Sequence, residues 1–276
     1  MYDFDRTLSP KDMQEYGFIP GIKMEPADFW EKCNLTMEEN NMDQILAYML
    51  VMCQQAKGKM LFTRDTLMAL GSDVVLFDGV KSWFRRINAY AEKRGFQAEH
   101  YIISSGLKEI IEGTPISGEF KKIYAAEFCY DSNGEPYWPA MAVNYTSKTQ
   151  FLFRINKGIL DVTENNPLNE SMPEAERRVP FRNMIYLGDG LTDVPCMKLV
   201  RSNGGHSIAV YSGDRGSAAN LILDGRADFA LKADYTKGKE LETTVFSIID
   251  HAAAKQRLVS LHNESFEYAQ NEKNQK

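Results

Sequence analysis

Along the first quarter of the chain the apolar positions fall at helical spacing. Pro26 marks a helix start, Phe29 and Trp30 follow, and residues 45–53 form an unbroken apolar run. No strand–helix alternation is seen there, so residues 9–77 read as a helical unit. From Asp78 the rhythm changes. Val80, Trp83, Phe84, Ile87, Tyr90 and Ala91 mark one face of a helix that ends by Gly95, and residues 100–103 read as a short buried strand. Segments 122–131 and 137–143 flank Asp131-Ser132-Asn133-Gly134, whose Asn-Gly pair predicts a β-hairpin. Further buried strands are predicted over 184–187, 207–211 and 227–231, with helices over 147–157, 194–200 and 240–251. The polar residues 263–276 read as a frayed tail. This alternation predicts an α/β fold, a doubly wound, mostly parallel sheet covered by helices. Its core takes in residues 1–8 and 78–262, and the helical unit 9–77 is inserted after the first strand.

Composition narrows the classes. The 276 residues suffice for one large α/β unit or a core with a smaller companion, and 43% hydrophobic residues exclude a disordered chain. A net charge of −6, without a local basic patch, argues against nucleic-acid binding. The longest apolar run falls well short of the roughly 20 residues of a membrane-spanning helix. No export signal is readable at Asp3, Asp5 and Arg6. Cys33, Cys53, Cys129 and Cys196 lie far apart and read as reduced thiols of a cytoplasmic protein. His100, His206, His251 and His262 show no metal-ligand spacing and read as structural or exposed.

In a doubly wound sheet, ligands sit outside the carboxyl ends of the strands. Three polar stretches fall there: Asp3-Phe4-Asp5-Arg6-Thr7-Leu8, Ser104-Ser105-Gly106, and Gly188-Asp189-Gly190-Leu191-Thr192-Asp193. Either acidic stretch alone would be an ordinary solvated turn. Carboxylates gathered at one sheet edge repel unless a cation sits among them, and an all-oxygen set favours Mg²⁺ over zinc. A strand-end hydroxyl, backbone amides at a helix start and a lysine would make the complementary phosphate site. Lys148, after Thr146-Ser147 at the head of the 147–157 helix, is the candidate, with Lys157 the alternative.

Asp-x-Asp-x-Thr, a strand-end Ser, a Lys and Gly-Asp-Gly-x-x-Asp, in that order over residues 3–232, resemble the four motifs of the haloacid dehalogenase-like hydrolase superfamily. The sequence resembles especially its phosphoserine-phosphatase-like branch, whose helical cap lies between the first two motifs. The resemblance implies a Mg²⁺-dependent phosphatase acting on a small phosphorylated metabolite, with residues 9–77 as the cap. It makes Asp3 the nucleophile that forms an aspartyl-phosphate and Asp5 the general acid and base. Ser104, with Ser105 and Gly106, and Lys148 would bind the phosphoryl oxygens. Asp3, Asp189 and the carbonyl of Asp5 would hold the metal, and Asp193 the metal's waters.

Two departures stand out. Arg6 replaces a common glycine, and residues 163–178 form a polar surface excursion between Lys148 and Asp189. Arg64, Arg85, Arg86 and Arg154 are open candidates for a second substrate anion. A phosphotransferase or phosphomutase of the same superfamily remains an alternative. A receiver-like phosphate-binding module is disfavoured, because its acidic residues lie on separate strands of a far shorter chain. Only Met1 and Tyr2 precede Asp3, which predicts a truncated first strand with unpaired backbone groups on its neighbours.

Overall fold

The computed structural model describes residues 1–213 and 216–274. Its helices are α1 (Phe18–Gly21), α2 (Pro26–Asn40), α3 (Gln44–Ala56), α4 (Arg64–Leu70), α5 (Val80–Glu92), α6 (Lys108–Glu112), α7 (Ser147–Lys157), α8 (Asn166–Asn169), α9 (Val194–Ser202), α10 (Gly216–Leu223) and α11 (Glu240–Asn274). The strands are β1 (Tyr101–Leu107), β2 (Lys122–Tyr130), β3 (Pro136–Met141), β4 (Ile185–Gly188), β5 (His206–Tyr211) and β6 (Phe229–Lys232).

The strands form two ladders, β3-β2-β1 and β4-β5-β6, and the chain start joins them. Tyr2 pairs in parallel with Ile102 of β1 on one side and Leu187 of β4 on the other. All pairings are parallel except β2 with β3, which sits at the edge. That edge position tolerates Pro136 and Pro139. The chain therefore winds outward in both directions from residues 1–3, and the crevice at their carboxyl end is the switch point where such folds bind ligands.

The first strand is paired from its first residue. The Met1 amino group donates to the Ile185 carbonyl at 2.7 Å, and Leu187 N–H donates to the Met1 carbonyl at 2.9 Å. Tyr2 N–H donates to the Tyr101 carbonyl, Ile103 N–H to that of Tyr2, and Asp3 N–H to that of Leu187, each at 2.9 Å. The unpaired groups expected beside residues 1–3 are thus absent at these positions. Burial pushes the amino group down to about 5. A cavity of 270 Å³, lined among others by Met1, His100, Met184 and Ile249, lies beyond it and away from the aspartates.

Behind Asp3 a donor chain fixes the strand. Trp83 Nε1 donates to the Tyr2 hydroxyl at 3.0 Å, which lies 3.1 Å from His100 Nδ1, and His100 Nε2 lies 2.8 Å from Asn88 Oδ1. Burial holds His100 down at about 3, so the ring is neutral.

The helical cap is built by local rules. Pro26 opens α2, Asn41 closes it in the left-handed conformation (φ 47°), and Asp43 accepts from the N–H groups of Ile45 and Leu46 to start α3. Phe18, Phe29, Tyr48, Met49 and Met52 fill its interior. The cap returns to the core at Gly71. A Cβ there would collide with the backbone of Ile110 and Gly113, and one on Gly113 with the carbonyl of Met68, so two backbones touch with no side chain between them.

Most predicted elements are found with shifted ends. The hairpin turns at Asp131, whose Oδ1 accepts from Asn133 and Glu135 N–H, with Gly134 at φ 76°. Helix α7 has the predicted bounds, although Thr146 makes no side-chain cap; Ser147 Oγ instead bonds Asn144. The frayed tail is the main correction. Its residues up to Asn274 continue α11 as helix, and the last two lie outside the described residues.

Candidate active site

The sheet's carboxyl edge gathers the predicted aspartates. Asp3 ends the first strand, 6% exposed, and its Oδ1 accepts from Phe4 N–H at 2.7 Å. Asp189 and Asp193 follow β4. Ligand oxygens of Asp3, Asp189 and Asp193 all lie within 4.8 Å of one another. Gly188 is required here, because a Cβ would overlap the Asp193 carboxylate.

Lys148 is the centre of the cluster. It is fully buried at the head of α7, with Nζ 3.0 Å from Asp3 Oδ2 and 2.8 Å from Asp193 Oδ1. The Tyr186 hydroxyl donates to the same Asp193 oxygen at 2.7 Å. Lys157 lies elsewhere, its ammonium donating to the carbonyls of Leu168 and Glu170 and so pinning the polar excursion. Burial alone would lower Lys148, but the charges of Asp193 and Asp3 hold it above the usual lysine range.

One ammonium does not neutralise this edge. Burial, then the charge of Asp193, raises Asp3; burial, then the charges of Asp3 and Asp193, raises Asp189. Ionising all three carboxylates thus needs more positive charge than Lys148 supplies, and a set of hard oxygen donors in that state fits a small divalent cation such as Mg²⁺. Asp193 is fully buried and already bonded to Lys148 and Tyr186. It is therefore placed as a support for the cluster at least as much as a ligand to water.

Asp5 sits apart. Its carboxylate is not in the acidic cluster. Oδ1 accepts from Met13 N–H at 2.8 Å, and Oδ2 lies over Gly106, where a Cβ would come within 2.8 Å of it. Burial, then the charges of Asp12 and Asp3, raises it well above the carboxylate range. Arg6 takes a left-handed backbone, φ 57°, which explains why glycine suits this position. Its guanidinium grips Asp12 bidentately, Nε to Oδ1 at 3.1 Å and Nη2 to Oδ2 at 2.8 Å, at an exposed site. Thr7 Oγ1 lies 3.4 Å from Asp189 Oδ1.

The hydroxyl pair lies on β1, which runs past residue 103 to Leu107 through an irregularity at 104–106. Ser104 Oγ accepts from Gly106 N–H at 3.1 Å, whereas the buried Ser105 Oγ has no partner among the described residues. Neither caps α6, whose N-cap is Leu107. Two further contacts were invisible to motif reading. The Tyr48 hydroxyl of the cap donates to the Ser105 carbonyl at 2.8 Å, and Met13 Sδ accepts from Leu107 N–H at 3.2 Å.

The arginine candidates are mostly committed elsewhere. Arg154, 1% exposed, donates to the carbonyls of Asp161, Val162 and Glu164 and holds the loop after α7. Arg86 is bound to Glu242, Ser82 and Tyr235, Arg64 pairs with Glu112, and Arg85 is exposed on α5.

Residues 1–198 match the sequence model of the haloacid dehalogenase-like hydrolases. The chain belongs to this family. A protein of Borreliella burgdorferi described as uncharacterized is 29% identical over 271 residues, covering 87% of this chain and 92% of that one. Among solved structures, a HAD family hydrolase from Salmonella enterica serovar Typhi covers 90% of this chain and 69% of its own at 15% identity, TM-score 0.55. Cytosolic 5′-nucleotidase IIIB bound to cytidine covers 93% and 86% at 16% identity, TM-score 0.51. Substrate-bound phosphoserine phosphatase covers 84% and 92% at 14% identity, TM-score 0.50. These similarities establish a shared fold, a HAD core with a helical cap. Among the described residues no helix is long and apolar enough to cross a membrane.

Proposed function

We propose that this HAD-family hydrolase is a Mg²⁺-dependent phosphatase of a small phosphorylated metabolite, working through an aspartyl-phosphate on Asp3. The observation that carries the reading is the buried Lys148 ammonium shared by Asp3 and Asp193, beside Asp189, at the switch point of the sheet. An anion-repelling edge that still carries excess negative charge suits a group that arrives with its own cation.

In this reading Asp3 attacks phosphorus, the bond from phosphorus to the leaving oxygen breaks, and Asp5 gives that oxygen a proton. Water then gives a proton to Asp5 and attacks the phosphoryl group, the Asp3 oxygen–phosphorus bond breaks, and inorganic phosphate leaves. Burial favours the protonated acid at Asp5, and Met13 N–H fixes the carboxyl's orientation. Lys148, Ser104, Ser105 and the amide of Gly106 would hold the phosphoryl oxygens. Asp3, Asp189, the Asp5 carbonyl and, through water, Asp193 would hold Mg²⁺, which supplies positive charge against the phosphate's own. A cytoplasmic setting belongs to the same proposal, supported by four free cysteines.

The test is release of inorganic phosphate from a panel of phosphorylated metabolites. Turnover should vanish with chelator, return with Mg²⁺, and fall at least about 10³-fold in Asp3→Asn with the fold retained. Activity of Asp3→Asn within tenfold of wild type would remove Asp3 from its role.

A further inference from the structure

Helix α3 of the cap makes two hydrogen bonds to the core among the described residues, and each ends on a segment that carries a candidate phosphate ligand. The Tyr48 hydroxyl donates to the Ser105 carbonyl at 2.8 Å, and the Asp43 carboxylate accepts from Asn144 Nδ2. The polar contacts of α4 go elsewhere. Arg64 N–H donates to the Gly134 carbonyl in the hairpin turn at 3.1 Å, and its guanidinium pairs with Glu112.

Neither phosphate-side segment is fixed by the sheet. β1 loses its register with β2 between Ile103 and Leu107, so the turn of Ser104, Ser105 and Gly106 is held from the inserted unit, by Tyr48 and by Met13 Sδ on Leu107 N–H. Residues 142–146 lie outside helix and strand, and Thr146 gives α7 no side-chain cap. The Asn144 backbone starts the helix instead. Its N–H donates to Ser147 Oγ at 2.8 Å, and its carbonyl accepts from Ser147 Oγ at 2.9 Å and from Lys148 N–H at 3.0 Å. Whatever holds the Asn144 side chain therefore holds the turn from which α7 begins.

The element between the two contacts is stiff. Asp43 uses Oδ1 to start α3, accepting from Ile45 N–H at 2.9 Å and Leu46 N–H at 3.2 Å, and keeps Oδ2 for Asn144. Tyr48 lies five residues on, about 7.5 Å along the axis. Ala47, Tyr48, Met49, Val51 and Met52 are buried, so α3 moves only with the close-packed interior of the cap. Burial, then the charge of Asp5, pushes the Tyr48 hydroxyl well above the usual tyrosine range and keeps it a donor.

We propose that α3 is a positioning bar: Asp43 and Tyr48 set the 104–106 turn and the start of α7 at the spacing one phosphoryl group needs, so the phosphate cradle is complete only while the cap is seated. This rests on the phosphatase reading above. Selection then precedes chemistry. A leaving group that lifts α3 loosens both segments at once, and it is refused through the phosphate it carries rather than through a contact of its own.

Three variants of the full chain test the bar. Tyr48→Phe removes one hydroxyl, Asp43→Ser keeps a helix cap but lacks the second oxygen, and Asn144→Ala removes the same contact from the core side. With Mg²⁺ present, each should raise the inhibition constant of inorganic phosphate at least about fivefold, and lower kcat/KM by one common factor for an alkyl and an aryl phosphate. Asp43→Ser and Asn144→Ala combined should lose no more than either alone. Amide exchange reads the bar without turnover: Gly106 N–H should exchange at least about fivefold faster in Tyr48→Phe, and Lys148 N–H in Asp43→Ser. Unchanged phosphate inhibition and unchanged exchange, beside a lower melting temperature, would reduce both residues to packing and overturn the proposal. Losses that differ between the two leaving groups would overturn it in favour of direct contact with substrate. Faster exchange in a chain that hydrolyses no phosphate ester would leave the bar standing and remove the phosphatase reading.

Discussion

The two sides of the crevice are built on opposite principles. On the floor, Lys148, Asp3, Asp193 and Tyr186 are buried and bonded to one another, each held by a strand end or helix start of the core. On the front, Asp5 is held by one N–H from Met13, the exposed Arg6 sits in a left-handed backbone beside a half-buried Asp12, and the Ser105 hydroxyl has no partner among the described residues. The floor is preassembled for one invariant chemical group, and the front is left adjustable where leaving groups would differ. Preorganisation is worth most where charge is concentrated, so the division follows the charge.

Lys148→Met should break the floor most severely. It leaves two buried carboxylates facing each other, a loss of about 3–5 kcal/mol, and should lower turnover by at least about 10³-fold. The sign with pH is fixed. Without the ammonium, the buried Asp3 folds best as a protonated acid, so the folded state holds a proton that the unfolded chain releases, and the deficit grows as pH rises from about 4 to 8. Chemical denaturation at several pH values reads this; a deficit that shrank with rising pH would contradict the pairing.

Asp5→Asn should separate the sides. The loss in kcat is expected to be about 10²–10⁴-fold for alkyl phosphates and much smaller for an aryl phosphate whose leaving group needs no proton, with stability within about 1 kcal/mol of wild type or above it. Equal losses on both substrates would place Asp5 with the floor.

The smallest effect concerns His100, behind the floor. Its folded value of about 3 lies below the ordinary 6.5, so between these limits the unfolded chain binds a proton that the folded chain refuses. Its contribution is complete above pH 6.5 and is lost as pH falls toward 3. Melting curves at pH 7, 5.5 and 4.5 should show His100→Gln flattening that part of the decline.

Sequence patterning delivered what depends on short spacing. The Asn133-Gly134 turn, the bounds of α7, and the aspartate stretches at strand ends all follow from local backbone rules. What it missed depends on burial and distance. Arg154 carries a charge that suggests a ligand, but its guanidinium is spent on three carbonyls of its own loop. Lys148 and Lys157 share a helix, and only tertiary packing separates a buried ammonium from one that pins the excursion. The end of α11 reads as a tail because polar residues outnumber apolar ones there, and no capping signal announces that the helix continues. Tyr48 and Met13 have no motif at all, since their contacts reach across from cap to core.

Gly71 and Gly113 give the cap a seat where backbone rests on backbone, and the Asp5–Met13 bond fastens its other end. Between those two fixings the cap is tied to the site's surroundings at Tyr48, whose hydroxyl meets the Ser105 carbonyl, and at Asp43, which accepts from Asn144 just before α7; the other side chains of α2 and α3 are free to vary around these two. Lineages can therefore exchange that filling wholesale, as one changes the key cut without touching the lock's bolt, while a single methyl at either glycine would unseat the whole insert. Divergence among relatives should pile up inside the cassette and stop abruptly at its two attachments.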